Sequence, residues 1–267
     1  MSDAATKPRI LIIDIETAPK KAFVWGLWKQ NISPNQLISD WYMLTWSAKW
    51  VGDPEVFSDK LSNYDVFDFA QDNDYHVCKS VHKLLDEADI VVAHNGDRFD
   101  VPSINTRFID NNIPPPSPYK QVDTLKIAKR NFKFTSNRLD YIGQFLGLGG
   151  KIETGGMSLW IRCLNGERSA MEEMETYNKR DVTLLEEVYL KLRPWDKLHP
   201  NVNVYEGVVK DRPKCASCGS GEIQFRGTYY TNVSAFKRFR CNGCGSWGRL
   251  RTNEVKQEDR KNLTLNI

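Results

Sequence analysis

Residues 9–15 constrain the fold more than any other part of the sequence, because they hold an almost continuous apolar run. The run consists of Ile10, Leu11, Ile12, Ile13 and Ile15. Such a short, isoleucine-rich run predicts a strand buried on both faces, as in a sheet that helices cover on each side. It is far shorter than the ~20 residues that span a bilayer. Asp14 also interrupts it, so neither a membrane segment nor a secretory signal is expected here.

The order of the remaining elements predicts a mixed α/β fold. Further strands are expected at 41–51, 55–58, 90–93 and 121–123, and helices at 77–88, 101–111, 138–146 and 169–192. Strands and helices in this order form a mixed sheet with helices on its faces. The composition, 40% apolar and 27% charged, is that of an ordinary globular protein. We therefore expect a cytoplasmic enzyme or binding protein that does not associate with a membrane.

Four of the six cysteines form two Cys-x-x-Cys pairs near the C-terminus. They are Cys215, Cys218, Cys241 and Cys244, and a glycine follows each pair. This spacing predicts a closed, tetrahedral Cys₄ site for one structural Zn²⁺ ion, in a small β-rich module that resembles a zinc ribbon. Cys78 and Cys163 stand alone and are expected to be buried as small apolar residues.

The charge is distributed unevenly along the chain. Residues 195–267 carry 13 Lys and Arg against 7 Asp and Glu, a balance of +6, whereas residues 1–194 carry 24 against 27, a balance of −3. The expected boundaries are an α/β domain at 1–194, a linker at 195–210, the zinc ribbon at 211–252 and a polar tail at 253–267. A basic module of this kind is expected to meet an anionic partner.

Basic and aromatic residues are interleaved around the cysteine pairs, a pattern suited to single-stranded nucleic acid, where bases stack and phosphates pair. The candidate nucleic-acid contacts are Arg226, Tyr229, Lys237, Arg238, Arg240, Trp247 and Arg249. The alternative is that about half of the aromatic residues form the small core of the module itself. We expect both to apply.

Three acidic segments follow predicted strands or lie in the last long helix. Asp14 and Glu16 end the first strand and alternate onto one face, although a strand that simply leaves the core would look the same. Asp100 follows the strand at 90–93 and is either functional or the N-cap of a helix. Tyr177 and Asp181 share one helical face near an apolar stripe. A buried carboxylate there is costly unless a cation accompanies it.

Together these segments, Asp-x-Glu, Asn-x-x-x-Phe-Asp and Tyr-x-x-x-Asp, resemble the DEDD superfamily of 3′→5′ exonucleases, which have an RNase H-like fold. The similarity spans residues 9–192. The resemblance implies that Asp14, Glu16, Asp100 and Asp181 hold two Mg²⁺ or Mn²⁺ ions and that Tyr177 orients the attacking water. Oxygen ligands of this kind suit those cations, which would relieve the repulsion among the carboxylates.

The tyrosine subclass, which includes the proofreading domains of DNA polymerases, fits best, because the histidine variant would place its His at position 176, which is Thr176. Asp97 and Asp123 are competing carboxylates, but Asp97 is out of register with the Phe-Asp pair. Asp123 is expected to cap the helix that follows it.

The resemblance makes DNA, as single strands or 3′ ends, the expected substrate. An RNA exonuclease of the same superfamily and a non-catalytic nucleic-acid-binding adaptor are the alternatives, and a replication or repair protein as partner stays open. His94 is expected to line the cleft without being catalytic. Residues 151–156 are expected to form either a loop near the substrate strand or a surface turn. An early group of tryptophans, namely Trp25, Trp28, Trp41, Trp46 and Trp50, is expected to pack mainly in the core, with stacking on substrate bases as the alternative.

Overall fold

The computed structural model describes residues 7–64, 73–152, 154–205 and 212–265. The chain divides into two compact units, Arg9–Tyr189 and Leu190–Ile267 with Met1–Pro8. This division lies within the longest helix, so the domain boundaries near residues 194 and 211 remain predictions. Residues 206–210 of the expected linker, residue 211, residues 266–267 of the tail and residue 153 of the loop at 151–156 lie outside the described residues.

The first unit is built on a five-stranded mixed sheet. Its strands are β1 (Ile10–Thr17), β4 (Met43–Trp50), β5 (Phe57–Lys60), β6 (Ile90–Ala93) and β7 (Lys120–Asp123). They lie in the order β5-β4-β1-β6-β7, with β4 antiparallel and β6 parallel to β1. The order makes β1 the central strand. The mixed α/β fold predicted from the sequence is confirmed.

Burial of β1 explains its sequence. Leu11, Ile12 and Ile13 are fully buried, and the strand is partly exposed only at Asp14, Glu16 and Thr17. A central strand covered on both faces needs apolar side chains at consecutive positions, and β-branched residues suit the pleated backbone. The two acidic side chains therefore lie where the strand leaves the core.

Six helices belong to this unit, among the described residues. They are α1 (Tyr75–Glu87), α2 (Asp100–Asp110), α3 (Thr124–Asn131), α4 (Leu139–Phe145), α5 (Met157–Leu164) and α6 (Arg168–Leu192). Helix α5 was not predicted from the sequence. Cys78 on α1 and Cys163 on α5 are fully buried, as expected.

A short two-stranded ribbon, β2 (Lys21–Ala22) and β3 (Leu37–Ser39), follows the central strand. The expected tryptophan core is only partly correct. Trp46 is buried, but Trp25 is 98% exposed and Trp28 is 84% exposed. Both lie in the loop between β2 and β3, where no second layer covers them. Trp41 and Trp50 are partly buried, and Trp50 packs against the core. The sequence cluster therefore divides into residues in or against the core and two exposed residues.

The second unit contains a three-stranded antiparallel sheet, here called the C-terminal sheet. Its strands are β8 (Ile223–Thr231), β9 (Ser234–Cys241) and β10 (Trp247–Asn253), in the order β10-β9-β8. The short helix α7 (Gln257–Arg260) follows. Phe239 is buried, and the position facing it on β10 is Gly248, where a Cβ atom would overlap the phenylalanine ring.

Part of the expected linker is ordered against the first cysteine pair. The 3-10 turn Val202–Val204 lies in it, and the backbone nitrogen of Val202 donates a hydrogen bond of 2.9 Å to the carbonyl of Ala216. Val202 itself is buried. Within the described ranges, no helix combines the length and the apolar character needed to cross a bilayer.

Candidate functional site

Three carboxylates from the two ends of the first unit's chain meet in one place. Asp14 and Glu16 project from the end of β1, and Asp181 projects from α6. One carboxylate oxygen of each lies within 4.8 Å of the others. The two-residue spacing on β1 puts the first two side chains on one face of the strand. Packing of α6 brings the third to them, so the pairing of first strand and last long helix expected from the sequence is found.

Asp100 adjoins this group without belonging to the 4.8 Å set. It is the first residue of α2, is buried, and accepts a hydrogen bond of 3.2 Å from the backbone nitrogen of Ile15 at its Oδ1 atom. Its charge raises the pKa of Asp14, after burial the largest cause of that shift. Asp100 therefore lies beside the trio and fixes the backbone of β1 between the two acidic residues.

Burial raises the pKa values of all four carboxyl groups, and repulsion from the neighbouring carboxylates of the site adds to the shift for Asp14 and Glu16. Burial is the largest cause for each, and it raises the pKa of Glu16 to about 8 and that of Asp100 to about 7. The pKa of Asp181 is also raised, with Lys151 opposing the shift. Closely spaced carboxylates cannot all ionise cheaply without a compensating cation.

Lys151 supplies part of that compensation. Its ammonium group forms an ion pair with Oδ2 of Asp181 and donates a hydrogen bond of 3.0 Å to the hydroxyl of Tyr177. Burial favours the neutral amine, but the charges of Asp181 and Asp14 outweigh it and raise the pKa of Lys151. Burial raises the pKa of Tyr177 to about 12, so the phenol stays protonated at neutral pH.

Asn178 links the helix to the strand. This fully buried residue of α6 donates a hydrogen bond of 2.6 Å from Nδ2 to Oδ2 of Asp14. Neither Asn178 nor Lys151 was predicted as a site residue. Asn178 had a signal in the sequence, since it follows Tyr177 on the same helix. Lys151 begins the segment 151–156, which was expected to be either a loop near the substrate strand or a surface turn, and its ammonium group lies beside Asp181.

A cleft of about 1090 Å³ opens beside these groups. Asp14, Tyr177 and Lys151 line it, together with residues 154–156 of the loop expected near the substrate. Lys129 and Arg138 add two further basic side chains to its lining. The basic side chains along the wall of this cleft can attract an anionic ligand and keep it next to the carboxylates, where a metal ion could bind.

The neighbouring polar residues have structural partners. His94 lines the cleft, but its Nε2 donates to the carbonyl of Asn137 at 2.9 Å and its Nδ1 faces the hydroxyl of Thr124 at 2.8 Å. Burial lowers the pKa of His94, so it is neutral. Asp123 caps α3 through the backbone nitrogens of Leu125 and Lys126, as expected. Asp97 pairs with Lys126.

The cluster of Asp14, Glu16 and Asp181 has the donor atoms that a divalent cation needs. Every donor is a carboxylate oxygen, which hard cations prefer. Among the described residues, Oδ1 of Asp181 is buried without a hydrogen-bond partner. A buried anionic oxygen without a partner is costly, and a metal ion would satisfy it. Asp14, Glu16 and Asp181 could therefore hold a metal ion, with Asp100 beside them.

The four C-terminal cysteines form a second candidate metal site. The Sγ atoms of Cys215 and Cys244 are 3.7 Å apart, as are those of Cys218 and Cys241. These distances are too long for a disulfide, which needs ~2.05 Å. Four sulfurs at ~2.3 Å from a central Zn²⁺ in a regular tetrahedron would be ~3.8 Å apart. The cluster therefore fits the closed site of a zinc ribbon.

The two cysteine pairs have the same local geometry. In each, the first cysteine accepts a backbone hydrogen bond from the glycine four residues later, at 2.8 Å from Gly219 and 3.0 Å from Gly245. Both glycines have positive φ, 76° and 83°, which side chains with a Cβ rarely adopt. The glycine after each pair is therefore required by the turn.

All seven predicted nucleic-acid contacts on the C-terminal sheet are exposed. Strand pairing opposes Trp247 to Arg240 and Arg249 to Arg238, so these four share one face of the sheet. Tyr229 lies opposite Phe236 on the same face.

The guanidinium of Arg249 lies 3.8 Å from the ring centre of Phe236. That of Arg238 lies 5.0 Å from the ring centre of Trp247. Lys237 lies on the opposite face with the buried Phe239. Arg226 lies at the register shift between β8 and β9.

The fold and the carboxylate site define an RNase H-like α/β protein with a candidate metal centre. A family model of the RNase_H superfamily matches residues 56–193, more than half of the chain, and the chain belongs to this superfamily, whose members are typically nucleases. The matched segment contains Asp100, Tyr177 and Asp181 but begins after the strand that carries Asp14 and Glu16.

Among solved structures, the chain is similar to the family B DNA polymerase from the hyperthermophilic archaeon Pyrobaculum calidifontis. The TM-score is 0.48 at 14% sequence identity, covering 71% of this chain and 26% of that chain. The chain thus spans about a quarter of the polymerase's length. No curated protein sequence matches the chain significantly.

Proposed function

We propose that the protein is a metal-dependent 3′→5′ exonuclease that hydrolyses phosphodiester bonds of DNA, with single-stranded ends as substrate. The observation that carries the proposal is the convergence of Asp14, Glu16 and Asp181 beside the hydroxyl-bearing Tyr177, at the edge of a cleft with basic walls. The likeness of the Tyr-x-x-x-Asp segment to proofreading domains supports DNA over RNA.

The carboxylates would hold two Mg²⁺ or Mn²⁺ ions, which would activate water and stabilise the charge on the entering and leaving oxygens at phosphorus. Asp14, Glu16 and Asp181 are the proposed ligands of the cluster. Asp100, which lies next to them, is proposed as the fourth carboxylate that holds the ions. The three ligands project from a strand and a helix, β1 and α6, so the ions could bind without a large rearrangement of the chain.

Tyr177 is proposed to position the attacking water. Its pKa of about 12 excludes it as a general base near neutral pH, so its role is to hold water by a hydrogen bond. Lys151 contacts both this hydroxyl and Asp181, and we assign it to orienting the phenol and balancing negative charge in the cleft. Asn178 is assigned to orienting Asp14.

The C-terminal sheet is proposed to bind one structural Zn²⁺ and to hold nucleic acid on its exposed face. Cys215, Cys218, Cys241 and Cys244 would bind the ion. The arginines and aromatic side chains on that face offer charge for phosphates and ring surfaces for bases. The basic balance of residues 195–267 agrees with this role.

The deciding experiment is digestion of end-labelled single-stranded and double-stranded DNA and RNA with Mg²⁺, Mn²⁺ or EDTA. We expect shortening from the 3′ end that requires a divalent cation and is fastest on single-stranded DNA. Preference for RNA would replace the DNA assignment. Absence of cleavage on every substrate, with nucleic-acid binding retained, would instead favour a non-catalytic adaptor.

A further inference from the structure

The loop between β2 and β3 carries an exposed group of large apolar side chains, here called the aromatic loop (residues 23–28). Trp25 is 98% exposed, Leu27 87%, Trp28 84% and Phe23 72%. Large apolar side chains scattered singly over a surface are common, but a contiguous exposed group on one short segment is typical of a binding site. The carboxylate site does not use these residues.

The aromatic loop is anchored at its base. The backbone nitrogen of Phe23 donates to the carbonyl of Gln36 at 2.9 Å, and the side chain of Gln36 donates back to the carbonyl of Phe23 at 3.1 Å. Below this pair, Ala22 lies opposite Leu37 in the two-stranded ribbon. The exposed side chains therefore lie on a loop whose two ends are joined by hydrogen bonds.

The charge around the aromatic loop indicates an anionic partner. Residues 17–39 contain three lysines, Lys20, Lys21 and Lys29, and neither Asp nor Glu. All three lysines are exposed, and Lys20 pairs with Asp40 just beyond the segment. A partner that combines negative charge with flat ring surfaces would match both the lysines and the indoles.

The chain connects the aromatic loop closely to the carboxylate site. Lys21 follows Glu16 by five residues, a span of at most ~18 Å for an extended chain. This distance is about five stacked nucleotides at 3.4 Å each. A strand whose phosphodiester lies at Asp14 and Glu16 can therefore extend to the base of the loop.

We propose that the aromatic loop is a binding site for single-stranded nucleic acid, in which Trp25 and Trp28 stack on bases and Lys21 and Lys29 contact phosphates. This inference rests on the proposed function only in that the ligand is taken to be the strand that the nuclease would cleave. It adds a base-stacking site to the first unit, separate from the C-terminal sheet.

The test measures binding of a fluorescent 15-nucleotide oligothymidylate to the full-length protein without added Mg²⁺ or Mn²⁺, so that cleavage does not occur and the proposed Zn²⁺ site stays loaded. Stacking is worth ~1–3 kcal/mol per base, so Trp25→Ala is expected to raise Kd by about 5- to 150-fold. Trp25→Tyr keeps a ring and is expected to stay near wild type. Trp25→Leu keeps apolar area without a ring and is expected to behave like Trp25→Ala.

Two controls separate stacking from other causes. Ile109→Ala removes an apolar side chain that is 78% exposed on α2 and is expected to leave Kd unchanged. An abasic strand of the same length is expected to bind wild type and Trp25→Ala equally, because it has no bases on which Trp25 could stack. The slope of log Kd against log salt is expected to fall in Lys21→Gln but not in Trp25→Ala, since only the lysine neutralises a phosphate.

Unchanged binding of oligothymidylate by both Trp25→Ala and Trp28→Ala would overturn the proposal and leave a protein partner as the occupant. Equal weakening on the abasic strand would overturn it as well. Because binding is measured without added Mg²⁺ or Mn²⁺, loss of affinity in these variants supports the site even if no nuclease activity is found. Conversely, DNA cleavage with unchanged binding would retain the proposed function and remove this site.

Discussion

Asn178 on α6 donates a hydrogen bond of 2.6 Å to Oδ2 of Asp14 on β1, two residues 164 positions apart in the chain. The contact fixes the central strand to the last long helix at the point where the carboxylates meet. The geometry of the candidate metal site therefore depends on a neutral amide as well as on its acids.

Replacing that amide is expected to disturb the site without removing a ligand. Asn178→Ala should slow DNA cleavage and raise the Mg²⁺ concentration needed for half-maximal rate, because Asp14 loses its orienting donor. Loss of a buried hydrogen bond of this kind costs ~1–3 kcal/mol in stability. A titration of rate against Mg²⁺ measures the effect. An unchanged titration would show that Asp14 does not need this donor.

Removing one of the carboxylates is expected to abolish cleavage. Asp14→Ala should eliminate turnover while leaving nucleic-acid binding largely intact. Without added Mg²⁺ or Mn²⁺, the variant should melt at the same or a higher temperature than wild type, because one source of repulsion is gone. Calorimetry without added Mg²⁺ and gel assays with Mg²⁺ measure the two effects. Turnover near the wild-type rate would contradict the two-metal proposal.

Removing the phenol is expected to slow the reaction without weakening the metal site. Tyr177→Phe should reduce turnover by about 10- to 10⁴-fold, the range for a positioned proton or water partner. Mg²⁺ affinity should stay close to that of wild type, since the hydroxyl is not a proposed ligand. Unchanged turnover at saturating Mg²⁺ together with weaker metal binding would contradict the water-positioning role.

Without added Mg²⁺ or Mn²⁺, the stability of the protein is expected to fall as pH rises from about 5 to 8. The pKa of Glu16 is about 8 and that of Asp100 about 7 in the folded protein, both above their ordinary values of ~4. In this range the folded state binds more protons than the unfolded state, so the free energy of unfolding decreases with pH.

Thermal melting without added Mg²⁺ or Mn²⁺ at pH 5.5 and pH 8 measures the effect, with a lower Tm expected at pH 8. Glu16→Gln removes one of the two groups and should flatten the dependence. Added Mg²⁺ should raise Tm most at pH 8, because metal binding requires deprotonated ligands. A Tm that rises with pH in the absence of added Mg²⁺ or Mn²⁺ would contradict this account.

The exposed face of the C-terminal sheet is expected to determine how binding depends on salt. Each Lys or Arg that neutralises a phosphate contributes about −0.7 to the slope of log affinity against log salt on single strands. Arg238→Gln and Arg249→Gln should therefore each flatten the slope. Lys237, a predicted contact on the opposite face, shows which face binds: an unchanged slope in Lys237→Gln would limit the contacts to the face of Arg238, and an equal decrease would extend them to both faces.

Loss of a cysteine ligand should act on the whole C-terminal sheet. Cys241→Ser opens the proposed Zn²⁺ site, and comparable small modules lose their fold without metal. The variant should release bound zinc and lose the salt dependence contributed by the arginines. Loss of zinc with an unchanged salt slope would show that the sheet is structural and does not hold the substrate.

The sequence alone was sufficient for the parts of the site that follow local periodicity. A strand has a two-residue period, so Asp14 and Glu16 had to share a face. A helix has a 3.6-residue period, so Tyr177 and Asp181 had to share one too. The Cys-x-x-Cys pairs, each followed by glycine, indicated their own turn geometry. Patterns of this kind depend on neighbouring residues and are visible without the fold.

The tertiary structure decided which distant residues complete the site and which stay outside it. Lys151 lies in an irregular loop whose path no periodicity predicts, and only packing places its ammonium group on Asp181. The early tryptophans look alike in sequence, yet Trp46 lies on a covered strand and Trp25 on an uncovered loop. Burial and ion pairing depend on which surfaces meet after folding, and that information lies in long-range packing rather than in any local pattern.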